Sequence, residues 1–129
     1  MNMLNVVGLD FETYGAVDLT VHGLDRYVTD DSFTVLIGAV FEPGNAVANQ
    51  GIWTALDFVS GDYNQARQRL ADLLTNRYVV AHNVMFEYRV LEHMGLEELP
   101  LGYIDSAVCA RGAGAHGSLA AASKQLLKD

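Results

Sequence analysis

Val7-Gly8-Leu9-Asp10-Phe11-Glu12-Thr13 is the stretch on which the reading of this chain turns. Apolar Val7, Leu9 and Phe11 alternate with Gly8, Asp10 and Glu12, the period of a strand with one face turned to a core. Asp10 and Glu12 therefore leave the same sheet face, two residues apart. Carboxylates held that close repel each other unless something positive lies between them. At neutral pH the simple remedies are a shared proton or a divalent metal. Alone, the pair would equally fit the solvent face of an edge strand. A further acid, Glu87 in Ala81-His82-Asn83-Val84-Met85-Phe86-Glu87, shifts the balance toward a metal site.

Working outward from that strand, residues 33–42 are rich in β-branched and aromatic side chains and read as a second one. Pro43-Gly44-Asn45 is a turn signal, and Gly51-Ile52-Trp53-Thr54 reads as a short third strand pairing with the second. From Asp62 to Thr75, Tyr63, Ala66, Leu70 and Leu73 recur at helical spacing. Arg77 to Ala81 is a brief buried strand. Asn83 is placed to cap a helix that runs to about Met94 and closes at Gly95. Tyr103-Ile104-Asp105 reads as another strand leading into a helix through Arg111, and Ser118 can cap a last helix from Leu119 to Leu127. Strands first, then strand–helix alternation, point to an α/β domain with a mixed sheet and helices packed on it. Residues 1–129 read as one domain, with no internal repeat.

Half of the residues are hydrophobic and the formal net charge is −8. That charge argues against holding a polyanion by broad Coulomb attraction, although a carboxylate site becomes receptive to phosphate once metals bind. No apolar run is long enough to span a bilayer, so no membrane partner is expected. Cys109 is the only cysteine, which excludes an internal disulfide and fits a reducing cytoplasm. Gly112 to Gly117 spells GxGxxG but lacks room for a following βαβ unit, and it reads as a loop. His22, His82, His93 and His116 show no metal-ligand spacing, and the sequence does not decide whether Trp53 is core or surface. Asp30-Asp31 reads as a solvated turn.

If the strand ending at Ala81 neighbours the first one, Glu87 lies in a first helical turn where it can face Asp10 and Glu12. Three converging carboxylates make a hard-oxygen site suited to Mg²⁺ or Mn²⁺, and such sites often hold two ions. Asp105 is a possible additional acid, although its place between strand and helix fits a cap better.

These residues resemble a known family. Asp10-Phe11-Glu12-Thr13 is similar to the first motif of the DnaQ-like (DEDD) 3′–5′ exonucleases, and Ala81 to Glu87 to the second. Gly23-Leu24-Asp25-Arg26-Tyr27, Ile104-Asp105-Ser106 and Gly117-Ser118-Leu119-Ala120-Ala121 extend the resemblance toward the exonuclease domain of bacteriophage family A DNA polymerases. It covers most of the chain. The resemblance implies a ribonuclease-H-like mixed sheet and a proofreading activity on single-stranded DNA 3′ ends, in the cytoplasm of a bacterial host. It implies Asp10, Glu12 and Glu87 as ligands of two Mg²⁺ or Mn²⁺ ions, with Asp10 bridging them. It also implies Thr13 and Asn83 as contacts to the terminal nucleotide and Phe86 as packing beneath the site; Val17 and Leu19 are further candidates for base contacts. A polymerase domain or subunit is the implied partner.

Two departures stand out. Glu87 occupies a position where the family usually has Asp. The third motif, a Tyr or His four or five residues before a final Asp, has no counterpart, because Gln125 and Lys124 precede Asp129 at those distances. The expectation is thus a C-terminally truncated exonuclease domain. The alternatives are a stand-alone trimming nuclease of the same superfamily and an inactive domain that binds nucleic acid or a polymerase.

Overall fold

The computed structural model of the chain describes residues 5–43 and 51–107. In chain order these form β1 (Val6–Tyr14), α1 (Leu19–His22), α2 (Leu24–Thr29), β2 (Thr34–Glu42), β3 (Ile52–Asp57), α3 (Tyr63–Leu74), β4 (Tyr78–Ala81), α4 (Val84–Met94) and β5 (Gly102–Asp105). The strands build one mixed sheet in the order β3-β2-β1-β4-β5. β2 runs antiparallel to both β1 and β3, whereas β4 is parallel to β1 and β5 to β4. The chain is therefore α/β, with a five-stranded mixed sheet and packed helices.

Alternation along β1 sorts its side chains between two faces. Val7, Leu9 and Phe11 are buried, while Asp10 and Glu12 are exposed. The buried set joins Val40, Leu56 and Val79 from neighbouring strands. Against it pack Val28 of α2, Leu70 and Leu74 of α3, and Val90, Leu91 and Met94 of α4. All three helices thus cover one face of the sheet. Removal of this apolar surface from water is the main stabilising term. An ion pair of 2.7 Å between Arg89 and Asp25 ties α4 to α2.

Local chemistry sets the boundaries. The Asp62 side chain accepts from Gln65 N–H at 3.2 Å and opens α3. Gly95, in the left-handed region at φ 75°, closes α4 by returning its N–H to Leu91 and Glu92 carbonyls. Asp30 accepts from the Ser32 N–H at 2.9 Å, as befits the turn expected there. Between Glu12 and Thr13 the register with β2 slips. The skipped residue, Leu36, gives its carbonyl to Phe58 N–H at 3.0 Å, so the irregularity leaves that acceptor satisfied.

The third strand is longer than its sequence signal, extending to Asp57 because it pairs with β2 along its whole length. Helices α1 and α2 were not expected. Each is too short for a periodic pattern to register, and Gly23 at φ 86° divides them. The expected turn at Gly44-Asn45, the helix continuation to Arg111, the Gly112–Gly117 loop and the helix from Leu119 to Leu127 lie outside the described residues. No described helix is long and apolar enough to cross a membrane.

Candidate functional site

β1 pairs with β4 only from Val6 to Gly8, then continues to Tyr14 with β2 as its sole described neighbour. Asp10 and Glu12 sit on this overhang. The topology reverses at the same place: from β1 the chain moves out to β2 and β3, then returns through α3 to β4 on the other side. A reversal of this kind opens a crevice at the carboxyl ends of the strands. The turn from β4 into α4 brings His82, Asn83, Phe86 and Glu87 to that crevice. One depression there is lined by Asp10, His82, Asn83, Met85, Phe86 and Glu87, with Leu19 and Leu24 from the α1–α2 segment.

Asn83 does not cap α4 as its position suggested. Its backbone is left-handed, φ 63° and ψ 61°, and its side chain makes no capping bond. A cap of the expected kind requires extended backbone, whereas the abrupt passage from β4 into α4 needs a left-handed residue, which Asn tolerates better than most. The Asn83 N–H instead donates to Asp105 Oδ1 at 3.1 Å. The same oxygen accepts from Ala107 N–H at 2.9 Å. Asp105 thus pins the β4–α4 turn to the end of β5, the structural role its sequence position favoured.

Glu87 is the unusual group. It is 4% exposed, the only buried charged or polar residue among those described, and its Oε2 has no hydrogen-bond partner. Burial, with the neighbouring negative charge of Asp10 and more weakly that of Asp105, pushes its carboxyl up to about 7. The backbone N–H groups of Glu87 itself and of Phe11 pull the other way. A carboxylate buried among like charges without a counter-ion is costly. The arrangement gains from a proton or from a cation reaching Glu87 and Asp10 together.

The other expected residues are distributed as follows. Glu12 shares the exposed face with Asp10 but does not line the depression. Thr13 is half-buried, and its Oγ1 lies 2.8 Å from the Tyr27 hydroxyl, so its polar group is directed at α2. Phe86 lines the depression and packs against the core. Val17 packs on the core, while Leu19 lines the depression. Met85, 60% exposed at the rim, carried no signal in the sequence. Among the described residues no three His, Cys, Asp or Glu side chains stand together as a preformed metal cage. Comparison with known proteins adds nothing to this geometry, because no protein-family model and no curated protein matches the chain.

The donor set nevertheless fits a hard divalent cation. Its groups are carboxylate oxygens, one of them buried without a partner, and among the described residues no arginine lines the depression to neutralise them.

Proposed function

We propose that this chain is a metal-dependent 3′–5′ exonuclease domain, hydrolysing phosphodiester bonds at the 3′ ends of single-stranded DNA, as proofreading domains do. The observation that carries the reading is the buried Glu87 carboxylate beside Asp10, with its Oε2 left without a hydrogen-bond partner, where β1 outruns β4. The strand order 3-2-1-4-5, with only β2 reversed, supports a ribonuclease-H-like sheet of the DnaQ-like kind. The Asp-x-Glu and Asn-to-Glu motifs supply the rest of the argument.

In this reading Asp10, Glu12 and Glu87 hold two Mg²⁺ or Mn²⁺ ions, with Asp105 held in place by the Asn83 and Ala107 N–H groups at the border of the site. When bound there, such ions would supply Lewis acidity for hydrolysis of a phosphodiester. The protein contributes position. Glu87 is fixed by its burial on α4, Phe86 supports it, and Asp10 is held by the β1–β2 ladder. Leu19, Leu24 and Met85 offer an apolar rim against which a terminal nucleoside can pack. A polymerase domain or subunit is the proposed partner.

The test is a 5′-labelled single-stranded DNA incubated with Mg²⁺ or Mn²⁺, compared with the same strand blocked at its 3′ end. A stepwise ladder from the open end only, absent with Asp10→Ala, is the expected outcome; internal cuts or persistence in the variant would overturn it. One observation favours a second reading, a domain that binds nucleic acid or a polymerase without hydrolysis. The acids of the described residues do not form a closed cage. Strand binding without any shortening is the result that would select it.

A further inference from the structure

The sheet has a second face that none of the described helices covers. Across it the ladder aligns Trp53, Phe41, Gly8, Val80 and Ile104 in one row, one from each strand. Displaced by two residues, Ala55, Ala39 and Asp10 form the next row. Trp53 is 68% exposed, and its ring stands 4.9 Å from that of Phe41, tilted by 45°. The Phe41 ring lies close over the Gly51 backbone, where any Cβ would come within 2.5 Å of it. An indole with two-thirds of its surface in water, braced by a second aromatic, is an apolar plane without a described partner.

This plane is continuous with the carboxylate site. Gly8, Asp10, Trp53, Val80, His82 and Ser106 line a single depression. It shares Asp10 and His82 with the depression that holds Glu87. Gly8 brings no side chain to its middle, and His82 Nδ1 lies 3.3 Å from Ser106 Oγ at its far side. Trp53 and Asp10 therefore bound one space, two strands apart, about 10 Å across the sheet. The end of the face toward Glu12 and Asp57 keeps its acids exposed, which suits a ligand in water better than a dry apolar layer.

We propose that Trp53, backed by Phe41, is a stacking platform for a nucleobase of a single-stranded nucleic acid whose 3′ end lies at Asp10. The proposal rests on the nuclease reading above and names a subsite for it. With a net charge of −8 the chain gains little from phosphates at a distance, so an uncharged base on an aromatic plane is the contact available to it. Stacking also tolerates every base, as an exonuclease substrate requires.

Trp53 is the only tryptophan in the chain, so its emission reports on this one position. The experiment titrates the chain in EDTA, where cleavage is blocked, with oligothymidylate and with an abasic strand of the same length. Saturable quenching by the first and not the second is expected. Trp53→Ala should weaken binding of a labelled oligothymidylate, read by anisotropy, about fivefold to a hundredfold, and Trp53→Phe should restore most of it. Quenching without cleavage in Mg²⁺ would support the platform and overturn the nuclease. Cleavage abolished by Asp10→Ala, with Trp53 unresponsive to either strand, would overturn the platform and leave the nuclease standing. Emission already shielded from acrylamide in the free chain would overturn it as well, by showing that a second copy or residues outside the described segments occupy the face.

Discussion

Replacing Glu87 by Gln should stabilise the fold above neutral pH while removing a group the site depends on. An unfolded glutamate releases its proton near its ordinary value of 4.5, whereas folded Glu87 keeps it to about 7. Between those values the native state binds the extra proton, so the stability of the natural chain falls as pH rises through that window. The interval of about 2.5 pH units corresponds to about 3 kcal/mol at pH 8, at about 1.4 kcal/mol per unit. Glutamine is neutral throughout and escapes this loss, but it buries an amide that needs a partner, at a cost of about 1 kcal/mol. The net gain is therefore about 2 kcal/mol at pH 8, and at pH 4 only the amide cost remains, leaving the variant about 1 kcal/mol less stable. Urea unfolding followed by far-ultraviolet circular dichroism, in EDTA at both pH values, measures it. A variant less stable than the natural chain at pH 8, or a difference that does not change with pH, would refute the account of Glu87 as a carboxylate held against its own charge.

Three other changes probe the surroundings of the site. Gly15→Ala would place a Cβ 2.6 Å from the Tyr27 ring, displacing it from Thr13, and should cost about 1–3 kcal/mol in chemical denaturation. Asp105→Ala removes the acceptor shared by the Asn83 and Ala107 N–H groups and should cost about 1–2 kcal/mol. Because it also removes one of the charges raising Glu87, carbon-13 NMR of the Glu87 carboxyl should show a lower titration point. Leu91→Ala, at a fully buried position on α4, should cost about 2–5 kcal/mol and so bring the domain near its unfolding threshold.

Much of this architecture is legible in the order of residues, and the reasons differ from element to element. β1 alternates strictly, so its buried and exposed sets follow from the period alone. α3 follows from its helical period and α4 ends at a glycine, both signals that act within a few residues. What local sequence does not encode depends on distance or on backbone conformation. α1 and α2 are shorter than the window in which a helical period can be read. The left-handed turn at Asn83 is dictated by how β4 must hand the chain to α4. Asp10 and Glu12 could be placed on one face, and Glu87 on a first helical turn, from local spacing. The burial of Glu87 could not, because it comes from the packing of α4 against β1, some 70 residues away in sequence. The contact of Thr13 with Tyr27 is hidden for the same reason.

Calorimetric titration of Mn²⁺ into the chain below pH 7 tests the central claim most directly, because it asks about the carboxylates and not about residues beyond them. The account predicts binding accompanied by proton release, as metal displaces the proton from Glu87, with both signals lost in Asp10→Asn and Glu87→Gln. No binding, or binding that survives both substitutions unchanged, would contradict it.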